Sequence, residues 1–180
     1  MRELRQALKG RQNYLDHSAT GSLDIVRRSK IEMTSTHLSL HYHLVFSTKE
    51  RRALIAKSWR ERLHSYLGGI LRSLGGVPES VGGTSDHVHL LAGLEATRCL
   101  AAVMRDVKSS SFGWVHRNIG SRLFSWQDGY GAFTVSSSQI ETIKRYIQLQ
   151  EEHHRNKTFQ EEHLELLREG GIEYDKRYLW

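Results

Sequence analysis

Residues 77–94 read VPESVGGTSDHVHLLAGL. Two strand-length runs, 77–84 and 87–94, are separated only by Ser85 and Asp86, which predicts two adjacent antiparallel strands. Gly82 and Gly83 mark a bulge or a close approach of another backbone. In an extended chain, residues two apart share a face, so His87 and His89 lie side by side while Val88, Leu90 and Ala92 face a core. Two imidazoles placed in this way can share one cation. A His-x-His pair is weakly specific by itself, and His41-Tyr42-His43 is a second copy in the same chain.

Upstream, residues 38–47 alternate. Leu38, Leu40, Tyr42, Leu44 and Phe46 fall on one face, and Ser39, His41, His43 and Val45 on the other, as in a half-buried strand. Residues 58–74 place Trp59, Leu63, Tyr66, Leu67, Ile70 and Leu74 at helical spacing, with Gly75 and Gly76 as the stop. Downstream, Thr97 is a candidate cap for a second helix running to about Ile119 through Leu100, Met104, Val107 and Trp114. Residues 123–126 and 132–135 flank Asp128 and Gly129, as in a hairpin or a strand with a wide loop. Ser138 and Glu141 form a candidate capping box for a third helix over 139–154, and Thr158 with Glu161 repeats the signal for a last helix ending at Gly170 and Gly171. This order predicts an α+β fold in which helices cover one face of an antiparallel sheet and the other face stays open for a ligand.

The chain has 180 residues with 38% hydrophobic content, enough for one domain with a real core. Residues 1–32 lack a sustained apolar period and read as an appended arm, with the domain over 33–180. No apolar run approaches the roughly 20 residues that span a bilayer, so a cytoplasmic protein with no membrane partner is expected. The lone cysteine, Cys99, excludes an internal disulfide and is expected to be a small buried residue. A formal charge of +6 points toward a polyanionic partner. Residues 1–32 carry seven Lys/Arg and four Asp/Glu, hence half of that excess.

In the third helix, Tyr146 and Gln150 are one turn apart and project from the same side, next to the apolar stripe of Ile140, Ile143 and Ile147. With them, four segments resemble a known family: LHYHLVFSTK (40–49), DHVHLL (86–91), WQDGYGAF (126–133) and YIQLQ (146–150). Together and in this order they resemble the HUH superfamily, and within it the single-tyrosine transposases of the insertion-sequence 200/605 type, from about Met33 onward. The resemblance implies a ferredoxin/RRM-like HUH endonuclease fold. It also implies a metal site of His87, His89 and Gln150 holding magnesium or manganese, and Tyr146 as the nucleophile of a DNA transposase. It selects His87 and His89 over His41 and His43, which become candidates for the surroundings of the metal together with His153 and His154. The substrate implied is single-stranded DNA with hairpin ends, bound by a homodimer in which the tyrosine can act across the interface, at the nucleoid.

Lys49, Arg51, Arg52, Arg105 and Lys108 are the candidate phosphate contacts, and Trp126 and Tyr130 the candidate stacking platforms. Other classes open to the sequence are a non-catalytic RRM-like nucleic-acid-binding module, a metal-dependent hydrolase without a covalent intermediate, and a domesticated relative processing repeated extragenic hairpins.

Overall fold

The runs on either side of Ser85 and Asp86 form β2, Val77–Gly83, and β3, His87–Gly93, in a computed structural model that describes residues 37–175. The arm expected over 1–32 lies outside the described residues. β1, His41–Ser47, pairs antiparallel with β3 on one side and with β4, Gly131–Val135, on the other, giving the order β2-β3-β1-β4. The first strand is shorter than its alternation predicts, and Leu38 is exposed. Register puts Ser47 opposite His87, Val45 opposite His89 and His43 opposite Leu91, so these six share one face. The ladder shift in β2 falls between Pro78 and Ser80, not at the glycines.

Leu44, Phe46, Val88, Leu90 and Ala92 point to the other face and join the main core. Two helices cover it. α1, Lys57–Ser73, contributes Leu63, Leu67 and Leu71, all fully buried, and ends where Gly75 takes a left-handed φ of +79°. α2, Leu100–Asn118, contributes Val103, Met104, Val107 and Val115. Its cap position is Cys99 rather than Thr97, with no side-chain hydrogen bond, and the Cys99 thiol is exposed instead of buried.

The sheet edge is completed by a bridge between Thr48 and Trp126, after which the chain loops out before β4. Lys108 pins that loop, its ammonium donating to the carbonyls of Gln127 and Gly129 at 2.6 and 2.8 Å.

The face expected to stay open carries helices as well. The helix expected over 139–154 is two: α3, Ile140–Gln148, and α4, Gln150–His153, broken at Leu149. The Ser138 capping box does not form, because a 3-10 turn, Ser137–Gln139, precedes α3. Ile147 of α3 packs on Leu91 and Val135, with Ile140 and Ile143 beside them. α5, Phe159–Glu169, begins with the predicted box, Thr158 accepting from the Glu161 backbone while the Glu161 side chain accepts from that of Thr158. No helix among the described residues is long and apolar enough to cross a membrane.

What lets α3 settle on the sheet is Gly82. A Cβ there would meet the Ile147 carbonyl oxygen at 2.3 Å and Ile147 Cγ2 at 2.7 Å, closer than any real contact. The glycine is therefore the close approach that the sequence anticipates. Gly82→Ala is expected to cost about 2 kcal/mol or more by forcing α3 off the sheet. A thermal melt checks this, and a melting temperature equal to wild type would contradict it.

Candidate active site

β3 brings His87 and His89 to the face beneath α3, where both rings are fully buried. Their outer nitrogens are held differently. His87 Nδ1 donates to Asp86 Oδ1 at 2.7 Å, with the Thr84 hydroxyl also bonded to that carboxylate at 2.8 Å. His89 Nδ1 lies 2.8 Å from His43 Nε2, one of the two donating, and the rings stack with centroids 5.1 Å apart. His43 thus orients His89. His41 does not reach this site: it bonds Glu79 at 2.5 Å at the opposite end of the strand, where Lys144 also approaches Glu79.

α3 and α4 carry Tyr146 and Gln150 over the two histidines. The tyrosine ring lies edge-on to His89 and His43, with centroids 5.8 and 6.1 Å away. Gln150 is buried, its Oε1 lying 3.0 Å from both His87 Nε2 and His154 Nε2. His153 packs on the Tyr146 ring at 5.0 Å and makes no approach to Gln150 among the described contacts.

The residue that sequence reasoning misses is Glu162, on α5. It is almost wholly buried, and its Oε1 accepts hydrogen bonds from the Tyr146 hydroxyl and from Gln150 Nε2. Its Oε2 lies 3.4 Å from His89 Nε2, 3.7 Å from His87 Nε2 and 3.0 Å from His154 Nε2. Phe159, from the same helix, stacks on His87 at 4.4 Å. In the sequence, Glu161-Glu162 resembles an ordinary acidic first turn, and only the folded chain shows the second acid buried against the histidines.

Burial, with a smaller contribution from neighbouring imidazoles, lowers His43 to about 3 and His89 to about 4, so both rings are neutral at pH 7. Burial, and then the charge of Glu162, holds the Tyr146 phenol well above its ordinary value. Burial alone would raise Glu162, but hydrogen bonds from His154 and Tyr146, with the His89 ring close by, outweigh it and hold the carboxylate below its usual range.

The donor set suits a cation. The His87 Nδ1 proton is committed to Asp86, so the Nε2 lone pair faces the Gln150 carbonyl oxygen, an arrangement that calls for a proton or a metal between them. His89 Nε2 is fully buried and makes no hydrogen bond.

The candidate DNA contacts divide. Lys49 and Arg52 are exposed or nearly so after β1, in a turn where Glu50 and Arg51 take positive φ. Arg105, Lys108, Trp126 and Tyr130 line one surface cavity of about 390 Å³. Trp126, however, is a core residue: its indole N–H donates to Ser111 at 3.0 Å, and its ring packs edge-on against Phe46 and Phe124. Lys108 is held by the loop carbonyls and Arg105 pairs with Asp106 on the surface, while Tyr130, 40% exposed, is the stacking candidate that remains accessible. A second cavity, of about 420 Å³, borders Gln150 and is lined by Lys57, Arg60 and His64, basic groups that the sequence did not single out.

The model of the family described as "Transposase IS200 like" matches residues 36–150. The chain belongs to the IS200-like transposase family. Two solved structures share the fold. One, from Deinococcus radiodurans R1 and described as a candidate transposase, has a TM-score of 0.50 and 22% identity over 63% of this chain and 93% of that one. The other, a REP-associated tyrosine transposase bound to a REP hairpin, has a TM-score of 0.50 and 12% identity over 68% and 74%. No curated protein matches the chain. Family and fold make this a transposase, a DNA-cleaving enzyme with a four-stranded antiparallel sheet flanked by helices. The match stops at Gln150, so α5 and Glu162 lie beyond it.

The buried imidazoles set a pH dependence. His43, His64 (also lowered by burial, to about 4) and His89 stay neutral in the fold but take a proton near 6.5 once the chain unfolds. Lowered folded values mean that stability falls as pH drops from 6.5 toward 4, by up to about 1.4 kcal/mol per pH unit for each ring. His154, raised by Glu162 against the pull of burial, offsets part of this. Melting temperatures measured without metal should decline from pH 7 to pH 4.5; a flat profile would contradict the neutral assignment.

Proposed function

We propose that this transposase is a metal-dependent single-strand DNA endonuclease and strand transferase working through a 5′-phosphotyrosine. The observation that carries this reading is one of convergence. The Tyr146 hydroxyl and the Nε2 atoms of His87 and His89 all aim at the same buried carboxylate, within one chain. A nucleophile and two imidazole donors sharing one focus are what in-line attack on a phosphodiester requires.

His87, His89 and Gln150 are the residues that would hold a divalent cation, magnesium or manganese. When bound, such a cation would supply charge neutralisation and orientation at the scissile phosphate. Asp86 and His43 fix the two rings, so little is lost in ordering them when substrate arrives. Because the phenol is held protonated, its proton must leave as the new bond forms, along the hydrogen bond that it already donates to Glu162. The Tyr146 oxygen bonds to phosphorus, the bond from phosphorus to the 3′-oxygen breaks, and that oxygen takes a proton from solvent and leaves as a 3′-hydroxyl. Attack by another 3′-hydroxyl reverses the step and joins the DNA to a new end.

Lys49, Arg52 and Tyr130 are the proposed surface for single-stranded DNA, and the hairpin held by the second structural neighbour supports hairpin-ended substrates. The protein then works at the nucleoid. A homodimer is compatible with the site but is not needed to bring Tyr146 to His89. The RRM-like alternative loses its platform, since α3 packs on that face of the sheet.

Incubating the full chain with single-stranded flanking DNA and manganese should yield a denaturation-resistant protein–DNA adduct. Tyr146→Phe should remove it, at least 1,000-fold, while leaving DNA affinity within threefold; an adduct that persists in the variant would overturn the assignment.

A further inference from the structure

We propose that the cation site is larger than the histidine pair and Gln150: Glu162 and His154 complete it, so that α5 supplies an anionic ligand from outside the matched family region. This rests on the reading of His87 and His89 as metal donors.

Geometry carries the proposal. His154 repeats the arrangement of His87: its Nδ1 donates to a fixed oxygen, the Lys157 carbonyl at 2.7 Å, which turns Nε2 inward. That nitrogen faces two acceptors, Gln150 Oε1 and Glu162 Oε2, each at 3.0 Å, and the proton it donates to Glu162 marks the position where a cation would take the proton's place. Two imidazoles with their outer protons committed and their inner nitrogens opposed to oxygen atoms describe a vertex that wants positive charge. A ring nitrogen each of His87 and His154 and a Glu162 oxygen lie within 4.8 Å of one another, and the unpartnered His89 Nε2 lies 3.4 Å from Glu162 Oε2.

The two oxygens of Glu162 divide the work. Oε1 faces Tyr146 and the Gln150 amide, while Oε2 faces only imidazole nitrogens. A carboxylate suits magnesium or manganese better than an all-imidazole set, which favours zinc or nickel. Buried imidazoles and an amide carry no negative charge to balance a dication, and Glu162 supplies it. Gln150 and His154, four residues apart after the helical break at Leu149, meet on the side facing β3, where the Gln150 Oε1 lies 3.0 Å from both His87 Nε2 and His154 Nε2.

The test is the affinity of the full-length protein for manganese without DNA, measured by calorimetric titration. Glu162→Gln keeps the size and one oxygen but removes the charge, and it should weaken binding at least tenfold; His154→Ala should weaken it severalfold. Nitrogen couplings in the pulsed electron-paramagnetic-resonance spectrum of manganese on the wild-type protein should count three imidazoles, and this readout decides the matter if a variant does not fold. Affinity of Glu162→Gln within twofold of wild type, or a count of two imidazoles, overturns the inference. His89→Ala separates the levels: if it alone loses manganese, only the role of Glu162 and His154 falls, whereas if it binds as wild type does, the metal reading itself falls.

Discussion

At Gly82 the sheet meets the backbone of α3 so closely that the Ile147 carbonyl oxygen would lie 2.3 Å from a Cβ. That contact sets the height of α3 above β3, and with it the depth of Tyr146 over the histidines. Gly82 pairs directly with His89 across the ladder, so the residue that admits the helix and the residue beneath the proposed nucleophile are neighbours. A larger side chain would lift the helix, separating the groups that must act together.

Seating α3 this low has an electrostatic consequence. Four imidazoles, an amide and a carboxylate are gathered where water is scarce, and each buried polar group without a partner would cost on the order of 1–3 kcal/mol. Nearly all are satisfied in pairs: His87 with Asp86, His89 with His43, His154 with the Lys157 carbonyl, and Tyr146 and Gln150 with Glu162. The exception, His89 Nε2, sits at the centre of the cluster. An otherwise complete network with its one unpartnered nitrogen at the focus suits the proposed binding of a cation. It also explains why the tyrosine rests against a carboxylate, since the anion that holds the phenol protonated is the one that a cation would engage.

The sheet and its covering helices are legible in the sequence because they rest on periodicity: the alternation in 38–47 and 87–94 fixes which residues face the core, and the spacing in 58–74 places the first helix within a residue. His87, His89, Tyr146 and Gln150 follow from strand and helix spacing joined to a family resemblance. Less was legible where tertiary contacts decide. The break at Leu149 has no glycine or proline to announce it, and the burial of Trp126 comes from Phe46, Phe124 and Ser111, none adjacent in sequence except the phenylalanine two residues before it. His41 and His43 share a strand face, yet only His43 meets the site, because Glu79 from β2 takes the other. Glu162 was invisible for the same reason, its partners lying on β3, α3 and α4.

In the proposed reading, one chain assembles the nucleophile and the cation donors together. Mixing Tyr146→Phe protein with His89→Ala protein tests it most directly, with the covalent adduct on single-stranded DNA as the readout. A site built within one chain predicts no adduct above that of either variant alone. Restoration to a substantial fraction of the wild-type level would show that Tyr146 reaches the histidines of a second chain, and would contradict the account.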